Sequence, residues 1–485
     1  GFMSFVGASA LVNGKTKGLY FSAKALLSSV YEGALVDFDT ALRIEARWFT
    51  KVLMTDTCTN MARTLFLNKS ALEKGYQRPD GAEKTNLKQV CVIGSGMMGS
   101  GIAYASILQG LEVLLIDQNI KAAEAGKAKI EMLLSESVKR KKLSEEEKIR
   151  LLKKVKTDAS LENISSSDLV IEAVFEDLNL KHNLYKKIEP HLKEGAILAS
   201  NTSTLPITKL SEVLADSTRF LGIHFFSPVD KMNLVELIKS ERTNDNALAV
   251  ALDYTSLIKK TPIVVNDSRG FYANRCIIPY INEGLRMLNE GIEPALIENS
   301  AKQIGMPVGP LQLLDELSVS LALNVAKETK EALGTKYEET GTESILLEMS
   351  QKNRLGRKEL AGFYEYDEKG RRLKLWEGLR NLNIEKNSAD ISTVTVKNRL
   401  AYVQALEAAR ALEENILLSV EEGDVGGILG WGCLIWAGGP FSWLDYIGHE
   451  RVVVECQDLS DQYGPRFTPP KIIKELANSG RKFYN

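Results

Sequence analysis

A chain of 485 residues is long enough for about three domains, and 44% apolar with 26% charged residues is the balance of a globular protein, which excludes a fibrous or largely disordered one. With 61 Lys and Arg against 63 Asp and Glu, the formal charge of -2 offers no global attraction to nucleic acid or anionic lipid, so an anionic ligand must be held by local geometry. Cys58, Cys91, Cys276, Cys433 and Cys456 lie far apart without CxxC spacing. Their odd number points to a reducing, cytoplasmic setting and away from a disulfide framework or a structural zinc site.

The first residues, Gly1-Phe-Met-Ser-Phe5, lack the basic flank and apolar stretch of a signal peptide. Residues 1–85 read as helices, with apolar residues at helical spacing from Ala34 to Met54 and a break at Gly75-Tyr-Gln-Arg-Pro-Asp-Gly81. From Lys88 the period changes. Val90 to Ile93, Val113 to Ile116, Leu169 to Ala173, Ala196 to Ser200, Phe220 to Ile223 and Ile263 to Val265 are short apolar runs separated by helical segments. This alternation predicts buried strands in a parallel sheet with helices on both faces, a domain over about 86–268. Within it, Ser144-Glu-Glu-Glu147 has capping-box spacing and should open a helix after the basic run Lys139-Arg-Lys-Lys142.

After Gly270 the chain turns helical and repeats itself. Asn274-Arg275, Glu283, Arg286, Leu288 and Glu290 recur as Asn398-Arg399, Glu407, Arg410, Leu412 and Glu414, and Gly309-Pro310 with Leu314-Asp315 recurs as Gly439-Pro440 with Leu444-Asp445. Two related helical domains, about 269–385 and 386–485, are expected. Phe363 to Tyr366 and Arg371 to Trp376 read as a small hairpin between them. Val425 to Leu444 is uncharged over a membrane-spanning length of about 20 residues. Its six glycines (426, 427, 430, 432, 438, 439) and Pro440 predict a buried glycine-rich loop, so no membrane span is expected.

Val90-Cys-Val-Ile-Gly94-Ser-Gly96-Met-Met-Gly99 sets GxGxxG directly after a strand and at the head of a helix. Gly94 would allow the tight turn, Gly96 would let the backbone approach a pyrophosphate, and Gly99 would let helix and sheet pack closely. Asp117 ends the second strand, where a carboxylate accepts from the adenosine ribose and repels a 2′-phosphate. NAD is therefore expected over NADP. A glycine-rich turn with an exposed acid is the plainer alternative.

Leu221-Gly-Ile-His224-Phe-Phe-Ser-Pro-Val-Asp-Lys-Met-Asn-Leu-Val-Glu236 holds a histidine just beyond a strand and, after Pro228, an acid inside an apolar run. Oxidising a secondary alcohol needs a base for the hydroxyl proton, and a carboxylate on the second ring nitrogen would fix the tautomer. Spacing alone leaves their contact open, and a core histidine with an unrelated surface glutamate is the other reading.

At these residues the chain resembles the L-3-hydroxyacyl-CoA dehydrogenases of fatty-acid β-oxidation, and in particular the dehydrogenase part of multifunctional chains of the trifunctional type. The resemblance spans about residues 26 to 450. It rests on Val170-Ile-Glu-Ala-Val-Phe-Glu-Asp177, Ser200-Asn-Thr-Ser203, His224-Phe-Phe-Ser-Pro-Val-Asp-Lys-Met232 and Gly270-Phe-Tyr-Ala-Asn-Arg275. It implies a Rossmann domain and two helical domains that oxidise (S)-3-hydroxyacyl-CoA with NAD. By resemblance His224 is the general base and Glu236 its orienting partner. Ser203, Asn274 and Ser227 stand near substrate, Ser203 also near the nicotinamide, and Arg140 near the CoA phosphates. Met98, Val174, Phe175, Glu176 and Lys181 match cofactor-contacting positions.

Three departures accompany the match. Ser227 replaces the Asn of many single-function relatives, and Gly430-Trp-Gly-Cys-Leu-Ile-Trp436 replaces a proline-containing stretch. Tyr31 to Phe38 and Ala41 to Trp48 resemble the last helices and linker of a hydratase half whose body is absent from these residues, which implies dehydrogenation without enoyl-CoA hydration. A non-catalytic dinucleotide-binding or scaffold subunit, such as one docked to a thiolase, and a dehydrogenase for another hydroxy acid are the competing readings.

Overall fold

The computed structural model describes residues 2–334, 341–382 and 391–484, which form two compact units. One unit comprises residues 64–275 and 411–431, the other residues 1–63, 276–410 and 432–485. The expected boundary near 385 lies outside the described residues.

The first unit is built on an eight-stranded sheet. Its strands are β1 (Gln89–Ile93), β2 (Glu112–Ile116), β3 (Val155–Asp158), β4 (Leu169–Glu172), β5 (Ile197–Ser200), β6 (Phe220–Phe225), β7 (Leu234–Lys239) and β8 (Thr261–Asn266), in the order β3-β2-β1-β4-β5-β6-β7-β8. All neighbours are parallel except β6 and β7, which are antiparallel. This corrects the expectation of a wholly parallel sheet. The connection Phe226–Asn233 is too short for the crossover of a dozen or more residues that parallel pairing needs, so the chain turns straight back. Two strands escaped the sequence reading. Edge strand β3, Val-Lys-Thr-Asp, has a single fully buried residue, and β7 carries Glu236 in its middle.

Val90, Val92, Leu115, Ile171, Ala199, Ile223, Leu237 and Val264 from the sheet join Ile102, Ile107, Ile130 and Leu252 from the covering helices in one buried apolar cluster. The order β2-β1-β4 reverses direction at β1, which opens a crevice beyond the carboxyl ends of β1 and β4. Ser144 caps the helix Glu145–Leu152 in the expected reciprocal box with Glu147.

Residues 420–431 correct a second expectation. The first part of the glycine-rich stretch, residues 425–431 with Gly426, Gly427 and Gly430, is the end of a helix, Val420–Trp431, mostly buried in this unit. A Cβ on Gly426 would stand 2.9 Å from Ile263 Cδ1, and one on Gly430 would stand 3.0 Å from Leu234 Cδ2, so the missing side chains let the helix reach the sheet. That close packing offsets the weak helix propensity of glycine. Among the described residues no helix is long and apolar enough to cross a membrane.

The second unit is helical. It opens with Phe2–Thr16, Phe21–Gly33, Phe38–Leu53 and Asp56–Ala62, in line with the reading of the N-terminal residues. The repeat is visible in its helices. Pro310–Leu317 and Pro440–Ile447 each begin at the Gly-Pro pair, and each ends near an aspartate with the same task. Asp315 accepts from Phe363 N at 2.7 Å and Tyr364 N at 2.9 Å, while Asp445 accepts from Phe483 N at 2.9 Å and Tyr484 N at 3.0 Å. The hairpin is β9 (Tyr364–Tyr366) with β10 (Arg372–Leu375). Inside the unit, fully buried Arg399 binds Glu283 at 2.6 Å and Glu290 at 2.7 Å.

Candidate active site

The turn after β1 is shaped by its glycines. Gly94 has φ 99°, and a Cβ there would meet Ala173 O at 2.6 Å, so both backbone and space require glycine. A Cβ on Gly99 would lie 1.7 Å from Gly94 O, which lets the helix Met97–Leu108 start against the strand. Gly96 is exposed, has open space above it, and caps that helix without a side-chain hydrogen bond. A cradle open above Gly96, with first-turn amides uncapped by any side chain, fits the pyrophosphate of a dinucleotide.

Asp117 follows β2 and is half-buried. Its Oδ2 accepts from Ser95 N at 2.7 Å and Ser95 Oγ at 2.6 Å, and its Oδ1 from Gln118 N at 2.7 Å. Burial pushes this carboxyl up, but the Ser95 and Gln118 donors and the Lys129 charge outweigh it and hold it below its ordinary range. Asp117 therefore stays ionised. Met98, expected to touch the dinucleotide, is half-buried and packs on the apolar cluster. Its neighbour Met97 is 68% exposed instead, because helical geometry turns successive residues about 100° apart.

His224 and Glu236 face each other in the antiparallel register of β6 and β7, and the imidazole Nδ1 lies 2.7 Å from Glu236 Oε2. Both are buried. Glu236 Oε1 accepts from Tyr272 N at 3.2 Å and Ala273 N at 2.9 Å, where the helix Ala273–Asn289 begins. Two successive left-handed residues, Gly270 at φ 75° and Phe271 at φ 53°, lead into those two amides. The aromatic rings of Phe226 and Phe271 flank the imidazole at 4.6 and 5.9 Å between centroids.

A second cluster holds the loop after β5. Glu176 Oε1 accepts from Thr202 Oγ1 at 2.6 Å, Ser203 N at 2.8 Å and Thr204 N at 3.1 Å, while Asn274 Nδ2 donates to Ser203 O at 2.8 Å. Ser203, Asn274 and Glu176 are thus brought together. Burial raises the Glu176 carboxyl, but Lys181 and the donors of this loop prevail and hold it low.

Lys181 departs from the cofactor-contacting role expected of it. Its side chain is 1% exposed, with Nζ 2.7 Å from Glu172 Oε1 and 3.3 Å from Glu176 Oε2, because a buried ammonium must be paired. Glu172 itself went unremarked in the sequence reading. Fully buried at the end of β4, it also accepts from Val174 N, Tyr185 Oη and Ser200 Oγ at 2.8, 2.6 and 2.8 Å. The only sequence signal was an acid inside an apolar strand.

Phe175 is 78% exposed on this edge, with Val174 half-buried beside it. Ser227 is exposed, its Oγ 3.9 Å from Met97 Sδ. Arg140 is exposed after the helix Ile120–Lys139, 3.4 Å from Glu136.

Known proteins sharpen this picture. Residues 89–268 match the family described as 3-hydroxyacyl-CoA dehydrogenase, NAD binding domain, and residues 270–366 match 3-hydroxyacyl-CoA dehydrogenase, C-terminal domain. The chain is 33% identical over 481 residues to the fatty acid oxidation complex subunit alpha of Shewanella loihica, an alignment covering 99% of this chain and 67% of that protein. It is similar in structure to the dehydrogenase part of multifunctional enzyme 1 from C. elegans, with TM-score 0.59, 26% identity, and 84% of this chain and 96% of that one covered. The (S)-3-hydroxybutyryl-CoA dehydrogenase of Ralstonia eutropha matches with TM-score 0.55 and 36% identity, over 58% of this chain and all of that one.

Proposed function

The chain belongs to the 3-hydroxyacyl-CoA dehydrogenase family of NAD-dependent oxidoreductases, and on that premise we propose that His224 and Glu236 carry the oxidation of (S)-3-hydroxyacyl-CoA to 3-ketoacyl-CoA in fatty-acid oxidation. The contact between the imidazole Nδ1 and Glu236 is the observation that supports this most directly. A carboxylate there accepts the Nδ1 proton, so the neutral ring keeps a lone pair on Nε2. Nε2 takes the C3 hydroxyl proton of the substrate, and Glu236, anchored by the Tyr272 and Ala273 amides, stabilises the resulting imidazolium. NAD, when bound, accepts the hydride that leaves C3. Phe226 and Phe271 exclude water from the ring.

The remaining assignments follow the same edge of the sheet. Gly94, Gly96 and Gly99 receive the pyrophosphate and Asp117 the adenosine ribose. Val174, Phe175 and Glu176 border the cofactor, with Lys181 acting through Glu176. Ser203, Asn274 and Ser227 orient the substrate's 3-oxygen and thioester, and Arg140 meets the CoA phosphates. Residues 1–85 serve as a supporting helical segment, and assembly with a thiolase and a cytoplasmic location complete the reading. The test is NADH oxidation with acetoacetyl-CoA and longer 3-ketoacyl-CoAs. Turnover that disappears in His224→Ala supports the assignment, and a His224→Ala protein as active as wild type overturns it.

A further inference from the structure

Ser95, the residue between the first two glycines of the turn, carries no part of the chemistry above, yet three elements converge on it. It is 4% exposed. Its N and Oγ both reach Asp117 Oδ2, at 2.7 and 2.6 Å. Its Oγ also lies 2.8 Å from Ala122 O in the helix Ile120–Lys139. A hydroxyl has one proton, and the shorter contact to a charged oxygen is the stronger claim on it. Its carbonyl oxygen accepts from Ser100 Oγ at 2.9 Å and Lys129 Nζ at 3.4 Å. The same helix can come this close only because residue 126 is glycine: a Cβ there would stand 2.4 Å from Ser95 Cβ and 2.9 Å from Ser95 Oγ.

We propose that Ser95, seated against Gly126, is a specificity-determining residue: it locks the Asp117 carboxylate in the orientation that accepts the ribose of NAD and repels the 2′-phosphate of NADP. The proposal rests on the reading of Asp117 as the ribose carboxylate. A free aspartate can swing about its side-chain torsions, so charge at this position discriminates between the cofactors only if something fixes it. Gln118 N from the adjacent residue and Ser95 N from the turn after β1 also hold the carboxylate, and the Ser95 hydroxyl adds a side-chain anchor to them. Gly126 thereby acts on cofactor choice without touching cofactor.

Dissociation constants for NAD and NADP, measured by calorimetry on Ser95→Ala, Gly126→Ala and Asp117→Ser, test this. Ser95→Ala is expected to raise the NAD constant about three- to tenfold, the effect of one lost charge-assisted hydrogen bond only partly transmitted to the ligand. The NADP-to-NAD ratio should narrow by a similar factor. Gly126→Ala should move both in the same direction, because the new methyl displaces Ser95 or the helix. Without any cofactor, the Asp117 carboxyl of Ser95→Ala should titrate at higher pH than in the wild type, followed by carbon-13 NMR. Wild-type constants in both variants, with Asp117→Ser weakened for NAD, would overturn the lock while leaving the ribose reading intact. Unchanged constants in Asp117→Ser would overturn both. A lowered melting temperature in Ser95→Ala with the wild-type cofactor ratio would make Ser95 a packing residue and also refute the proposal.

Discussion

Glu236→Gln is the substitution whose outcome the geometry constrains most tightly. The side chain keeps its size, but one acceptor oxygen becomes a donor NH2. Two backbone donors, Tyr272 N and Ala273 N, converge on Oε1, and the imidazole Nδ1 sits 2.7 Å from Oε2. A glutamine can satisfy the two amides only with its carbonyl oxygen, which turns the NH2 toward His224. The Nδ1 must then accept, and the proton moves to Nε2, the nitrogen that should receive the substrate proton. The opposite rotamer faces an NH2 against two buried N–H groups, an unsatisfied arrangement costing about 1–3 kcal/mol. Either way the productive tautomer is disfavoured and the imidazolium loses its counter-charge.

A loss of about 10²–10⁴ in kcat is expected for Glu236→Gln, roughly 3–5 kcal/mol of barrier. The NAD dissociation constant should move far less, because no dinucleotide-binding group is altered. Steady-state NADH formation from (S)-3-hydroxybutyryl-CoA, with NAD binding measured in parallel, gives both quantities. A Glu236→Gln enzyme within threefold of wild-type kcat would refute the tautomer argument, because it would mean that Nε2 accepts the proton without an anion on Nδ1.

Other outcomes follow from single contacts. Gly99→Ala should abolish NAD binding in any protein that still folds, since its methyl would lie 1.7 Å from Gly94 O; retained affinity by titration would count against the cradle. Burial pushes the Glu422 carboxyl up to about 7, against the donors Val264, Ser419 and Gln77. Its folded pKa thus exceeds the unfolded value of about 4.3, so its contribution to stability is complete below that value and is lost as pH rises through about 7. Glu422→Gln should therefore gain stability relative to wild type between about pH 4 and 7, by up to roughly 3 kcal/mol, and parallel melting curves across that range would contradict this. Arg399→Ala strips buried Glu283 of one of its cationic partners and should cost about 3–5 kcal/mol in denaturant unfolding, whereas a loss under 1 kcal/mol would show that Arg466 suffices.

Local signals in the sequence determined most of the fold class. The switch from helical to strand period near Lys88, the glycine spacing 94-96-99 and Asp117 at the end of β2 identify a dinucleotide domain, because each is a property of neighbouring residues. The internal repeat was equally legible, although the shared task of Asp315 and Asp445 emerged only in three dimensions. What the tertiary structure decided are relations between residues distant along the chain. Whether Glu236 meets His224 depends on β7 turning back beside β6, and the acid that makes the dyad also disguised its strand. Packing buries Lys181 against Glu172, and which face of their helix meets the sheet leaves Met97 exposed and sets Met98 on the apolar cluster. The helix Val420–Trp431 looked like a loop because glycine propensity is a local quantity. The close approach to Ile263 and Leu234 that makes those glycines favourable is supplied by strands more than a hundred residues earlier, and no local reading of the chain contains it.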